Sequence, residues 1–337
     1  MNKTRYINLR TDFGFKRIFG SRRHKRLLIR FLNALPGDTM TVTDVRYVSN
    51  ETQADFVDGK RIVYDVTFVS KVDYVNLSSY RRLVMENSVK SADSKYDPNA
   101  HHFILEMQNV YEPPFEDRMV YYACKSLSGQ LQSGKKYWLN PVVAIAVSNF
   151  NLQHLTPRLV HDMALRDRID GEVLTEQLRL LFVSLKEVSE WPECETELER
   201  ILFIIKNMDK MDENSDAYKS GEYEEFFEAA DSLSLAAEEA ANYATSLAHL
   251  EDVEASVNFA SMIAREEGRE EGREEGLAKG REEGREEGRE EGREEGIFIA
   301  KRNTAAKMLD MNLSVEMIAA VTGLSAEEIY QIRDSRN

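Results

Sequence analysis

The sequence predicts an α/β fold, a central sheet covered by helices, and three observations predict it. Short runs rich in β-branched and aromatic residues occur near Val42–Tyr47, Arg61–Val69 and Phe103–Met107, and their length suits strands rather than helices. Pro141-Val142-Val143-Ala144-Ile145-Ala146-Val147 is apolar on both faces, as a central strand covered by helices should be. Stretches with apolar residues at helical spacing lie before and between these runs. One extends from Phe15 to Leu35, with Phe15, Ile18, Phe19, Leu27, Leu28 and Phe31 along one side, and Pro36-Gly37-Asp38 ends it. Another follows Pro113-Pro114, runs from Glu116 to about Leu131, and carries Met119, Val120, Ala123 and Leu127.

Beyond Phe150 the chain reads as acidic and mainly helical, with one further strand at Leu178–Leu185. Glu197 to Met208 has the apolar spacing of a buried helix face, and Glu222 to Ala264 is rich in Ala and Glu without Pro or Gly. Long helices are expected there, packed on each other or on a second copy of the chain. Arg265 to Gly296 is eight tetrapeptides, seven of Arg-Glu-Glu-Gly and one of Leu-Ala-Lys-Gly. Each Gly costs a helix about 1 kcal/mol, and a four-residue period drifts about 40° per repeat, so no apolar seam forms. An extended, marginal helix or a disordered spacer is expected. The tail resembles a helix-turn-helix, with Ser325 placed to cap its last helix. That helix opens Ala326-Glu327-Glu328, which suits packing or oligomerisation better than phosphate contact. The expected segments are therefore 1–150, 151–264, 265–296 and 301–337.

At 337 residues with 42% hydrophobic content, the chain can bury a sizeable core. No apolar run reaches membrane-spanning length, and the N-terminus lacks the apolar stretch of a signal peptide. Cys124 and Cys194 are the only cysteines, which excludes a disulfide framework and a multi-cysteine zinc site. A cytoplasmic protein is expected. The net charge of -15 is unevenly divided: residues 1–150 hold 22 Lys+Arg against 15 Asp+Glu, whereas 151–264 hold 9 against 25. Positive charge is densest along Lys16, Arg17, Arg22, Arg23, Lys25, Arg26 and Arg30, a cluster able either to neutralise DNA phosphates, with Arg17, Arg22, Arg23, Lys25 and Arg26 as the DNA-binding candidates, or simply to solvate a helix face.

Two of the strand-like runs carry a carboxylate where a buried strand should not want one. Side chains alternate along a strand, so Glu106 and Gln108 project from one side while Phe103, Leu105 and Met107 project from the other. Asp65 likewise lies opposite Val66 and Phe68. If the apolar faces come together, Asp65, Glu106 and Gln108 converge. Such a pair of carboxylates, with the Met107 carbonyl as a third oxygen, suits Mg²⁺, which is held by one or two carboxylates plus water and phosphate. The plainer alternative is a wet sheet face whose acids pair with nearby Arg or Lys. Gln108 does not titrate and serves only to orient a water or a phosphate oxygen.

Thr11-Asp12-Phe13-Gly14-Phe15-Lys16-Arg17-Ile18-Phe19-Gly20 resembles the opening signature of the recombination-promoting nuclease (Rpn) family, also called the PD-(D/E)XK nuclease family transposases. Tyr64-Asp65-Val66, Ile104-Leu105-Glu106-Met107-Gln108 and Arg118-Met119-Val120-Tyr121-Tyr122 follow in the family's order; the likeness covers roughly residues 4 to 150, and a weaker one extends through the acidic helical region to the C-terminus. The resemblance implies a restriction-endonuclease-like core, a mixed central sheet flanked by helices, that hydrolyses DNA phosphodiesters with Mg²⁺ in recombination or transposition. It implies Asp65 and Glu106 as metal ligands, Gln108 where many relatives have a catalytic Lys, and Asp12 as an acid that joins the site. One departure is visible: forty residues separate Asp65 from Glu106, more than a short hairpin needs. A non-catalytic protein that keeps the fold and acts through partners or self-association is the other reading.

Overall fold

Alternation along the strands decides how the sheet is dressed. The computed structural model describes residues 4–37, 40–48, 56–57, 60–61, 65–74, 82–86, 97, 99–131 and 137–335. Six strands form one sheet: β1 (Met40–Tyr47), β2 (Val66–Tyr74), β3 (Ala100–Gln108), β4 (Val142–Ser148), β5 (Val160–Arg166) and β6 (Val173–Ser184). Their order across the sheet is β1-β2-β3-β4-β6-β5. β3, β4 and β6 run parallel, while β1/β2, β2/β3 and β5/β6 are antiparallel, so the sheet is mixed.

Every residue of β4 is buried, which is why that run carries no polar alternation. One face of the sheet, with Val66, Phe68, Phe103, Leu105, Val143 and Ile145, packs against α1 (Asp12–Phe19), α2 (Lys25–Ala34), α4 (Glu197–Asn207) and α5 (Glu224–Ala230). The other face, with Ile104, Ala144, Ala146 and Phe182, is covered by Phe115, Met119 and Ala123 of α3 (Phe115–Ser128). Residues 198–230 thus share a core with the strands, and the boundary expected at residue 150 falls inside the sheet.

Three expectations shift. The strand expected at Arg61–Val69 runs instead from Val66 to Tyr74, because Val72 stays buried between exposed Lys71 and Asp73 and continues the alternation. Residues 62–64 of that run, Tyr64 among them, lie outside the described residues. The single helix expected from Phe15 to Leu35 is two, since Gly20 caps α1 and Ser21 starts a short 3₁₀ turn before α2. β5 was not expected at all: its residues Asp162, Arg166 and the neighbouring turn are polar, as an exposed edge strand is.

The segment before α1 folds back closely over it. A Cβ on Gly14 would lie 2.3 Å from the Asn8 carbonyl oxygen, so only glycine fits there. Ile7 donates its N–H to the Ala230 carbonyl at 2.9 Å, and Tyr6 bridges to Asp231, which fastens this segment to the end of α5.

The chain divides into two compact units, Met1–Val257 and Asn258–Asn337. A long helix, α6 (Ala237–Asp310), begins in the first and includes the whole charged repeat, which is helical here with its glycines exposed. The second unit ends in α7 (Val315–Thr322) and α8 (Ala326–Asp334), with a small core of Ala305, Ile318, Leu324, Ile329 and Ile332. Ser325 and Glu328 form a reciprocal capping box at the start of α8.

Candidate active site

β2 and β3 pair antiparallel with Val66 opposite Leu105 and Phe68 opposite Phe103, whose rings stack with centroids 5.1 Å apart. The same register places Asp65, the residue before β2, opposite Glu106. The forty-residue separation therefore does not prevent the pairing. Asp65 and Glu106 interlock: the Asp65 N–H donates to Glu106 Oε1 at 3.2 Å, and the Met107 N–H donates to Asp65 Oδ2 at 2.9 Å. Because α3 covers the even-numbered face of β3, the acids are half-buried; the Asp65 side chain is 19% exposed.

Two helices complete the surroundings. α1 brings Lys16, whose Nζ lies 2.6 Å from Asp12 Oδ1 and 3.5 Å from Asp65 Oδ1. α3 brings Arg118, which donates to Gln108 Oε1 at 2.7 Å, while Gln108 Nε2 donates to the Val110 carbonyl at 3.0 Å. Gln108 is thereby fixed as a neutral, oriented amide. Burial pushes the Asp65 carboxyl above its usual range, against the pull of the Met107 N–H and Lys16. Burial and then the Asp65 charge push Glu106 well above the ordinary carboxylate range, against the Asp65 N–H, Arg118 and Lys16. Burial alone would lower Lys16, but its hydrogen bond to Asp12 and the Asp65 charge outweigh this and raise it. Burial and Glu106 also raise Tyr122 on α3.

Asp65, Met107 and Gln108 open on a cleft of about 200 Å³ whose far wall is Ser246, His249 and Leu250 of α6. Asp12, Ser246 and His249 also border a wider groove of about 900 Å³ that takes in Lys16, Arg23 and Thr245. The α6 wall was missed in the sequence. Tyr243, Ser246, Leu247, Leu250 and Val253 recur at helical spacing and are partly or fully buried, a stripe legible beforehand as contact surface but not as cleft wall.

The basic cluster is divided. Arg17 turns inward: it donates to the Ala229 carbonyl, Glu239 and Ser234, and its side chain is 9% exposed. Lys25 pairs with Asp44, and Arg26, 87% exposed, pairs with Glu225. Arg22 and Arg23 are exposed, Arg23 bordering the groove. His101 is buried at the other end of β3, hydrogen-bonded to Tyr74 rather than near the acids.

Among the described residues no three His, Cys, Asp or Glu side chains form a cage for a metal ion. A hard divalent cation needs less: two adjacent, half-buried, oxygen-only carboxylates with access to water and phosphate are a donor set of the right chemistry. Asp65 and Glu106 fit it.

A mixed six-stranded sheet flanked by helices is the architecture of the PD-(D/E)XK, restriction-endonuclease-like fold class. The sequence matches the family of PD-(D/E)XK nuclease family transposases over residues 9–75 and 94–260, most of the chain, and the protein belongs to that family. No curated protein and no solved structure matches the chain. Among the described residues, no helix is long and apolar enough to cross a membrane.

Proposed function

We propose that the protein is a Mg²⁺-dependent DNA endonuclease acting in recombination or transposition. The observation that carries this reading is the interlocked, half-buried pair Asp65 and Glu106 at the open end of β2 and β3. Asp65 and Glu106 would hold the ion, with the Met107 carbonyl as a further oxygen. When bound, it supplies Lewis-acid polarisation of the scissile phosphate and lowers the pKa of a water. The chain supplies the rest. Gln108, clamped by Arg118, presents a fixed amide that orients a water or phosphate oxygen without exchanging protons. Exposed Arg22, Arg23 and Arg26 neutralise phosphates of the approaching strand, and the groove beside Lys16 gives it a path to the acids.

Purified protein incubated with supercoiled plasmid should nick it with Mg²⁺ and not with chelator. Asp65→Ala and Glu106→Ala should each reduce nicking at least about 100-fold while remaining folded by circular dichroism, since removing either leaves too few fixed oxygens. Nicking by either variant at the parent's rate would overturn the assignment. DNA binding without nicking by the parent would favour the non-catalytic reading.

A further inference from the structure

Asp12, Asp65 and Glu106 gather where α1 meets the end of the β2–β3 pair, and one ammonium stands among them. Lys16 reaches both Asp12 and Asp65 from α1, one helical turn beyond Asp12. Its neighbour Arg17 points away to Glu239, and Arg118 is committed to Gln108 with Glu112 nearby. Gln108 carries no charge. The positive charge beside Asp65 is thus supplied by a helix rather than by the strands that bear the acids.

Resting on the reading of Asp65 and Glu106 as the cation-binding acids, we propose that Lys16 is the tethered counter-ion of the active site. Its ammonium neutralises Asp65 before the substrate arrives, then passes to a non-bridging oxygen of the bound phosphodiester, where negative charge grows during cleavage. Asp12 is the positioning residue that keeps the long side chain within reach of both. No bond forms or breaks at Lys16; only its ion-pair partner changes.

This arrangement has opposed consequences. A fixed positive charge 3.5 Å from Asp65 competes with a divalent cation for the same oxygen, so Lys16 weakens cation binding. The same charge stabilises the transition state, so Lys16 speeds turnover. A residue that merely supported the fold would, on removal, weaken both.

The test is Lys16→Met, which keeps the apolar stem and removes the charge, beside Lys16→Arg, which retains charge. Mg²⁺ affinity is measured calorimetrically on the full chain without DNA, and single-turnover cleavage is measured at saturating Mg²⁺. Lys16→Met should bind Mg²⁺ roughly 3- to 10-fold more tightly by removing like-charge competition. Its cleavage should fall by about 10²-fold, the scale of losing one transition-state donor. Lys16→Arg should return both values toward the parent's. Any result in which affinity and rate fail to move in opposite directions overturns the proposal, as does a Lys16→Arg protein that behaves like Lys16→Met. Failure of the underlying reading shows elsewhere: the parent itself would not cut, or its Mg²⁺ affinity would survive Asp65→Ala. Either result removes this proposal with it.

Discussion

Glu106 is a carboxylate whose surroundings make ionisation costly, and the cost has a direction in pH. Burial and the Asp65 charge hold its folded-state value well above the ordinary 4.5. Below 4.5 the proton is bound in both folded and unfolded chains; above it, the unfolded chain releases the proton first. Stability from this site is therefore fully present at low pH and falls as pH rises through the raised folded value. Glu106→Gln keeps the shape, removes the charge and should raise the thermal midpoint at about pH 7 to 8 while flattening its decline above pH 4.5. Added Mg²⁺ should raise the parent's midpoint and leave the variant's nearly unchanged, because ligand binding stabilises only a state that binds it. A variant less stable than the parent at about pH 8 would contradict the electrostatic account. Arg17 is a second residue whose structural position revises its expected role. Arg17→Ala removes three hydrogen bonds, including one to Glu239, and should destabilise the fold by on the order of 2 kcal/mol in urea titrations. Neutralising Arg22, Arg23 and Arg26 together should leave stability within about 0.5 kcal/mol. It should instead flatten the dependence of DNA affinity on salt by up to about three phosphate contacts. Equal flattening by Arg17→Ala would return that residue to the DNA-facing set.

The elements show which parts of this architecture were legible. β3 and β4 were readable because their apolar residues are continuous over a strand's length, and α4 because Leu198, Ile201, Leu202 and Ile205 repeat at helical spacing. The acid pair was readable because alternation places Glu106 and Gln108 opposite Leu105. The register that sets Asp65 opposite Glu106 was not, since it depends on pairing across forty intervening residues. Nor was the partial burial of the acids, which requires knowing that α3 lies over their face. β5 escaped notice because an edge strand needs no apolar pattern, and the pairing of Lys16 with Asp65 because a lysine within a basic cluster reads as a phosphate-facing or solvated group. The helices of residues 222–264 were expected to pack on each other or on another copy. The first turns of α6 meet the N-terminal segment and α1 instead: Glu239 holds Arg17, Tyr243 accepts the Asn8 N–H, Ser246 accepts the Phe13 N–H and Glu254 holds Arg10. The family match ends at residue 260, close to where these anchors stop.

For the molecule as a whole, the repeat is the part most separable from the chemistry. A Cβ on any of Gly268, Gly272, Gly276, Gly280, Gly284, Gly288, Gly292 or Gly296 would meet nothing within 4 Å. Replacing all eight with Ala should therefore strengthen the helix by about 1 kcal/mol per site, visible as higher and more heat-resistant ellipticity near 222 nm. Plasmid nicking should be unchanged, as it should be on deleting residues 265–296. Loss of nicking with either change would tie the repeat to the active site. The hairpin of β2 and β3 carries a different consequence. Its chemistry lies at one end, at Asp65 and Glu106, while the long connection departs from Tyr74 and returns at Asn99, at the other. Nine residues at about 3.3 Å each set these ends roughly 30 Å apart. The family match leaves out residues 76–93 of this connection, so a change of its length, natural or engineered, acts at the end away from the acids and leaves them in register.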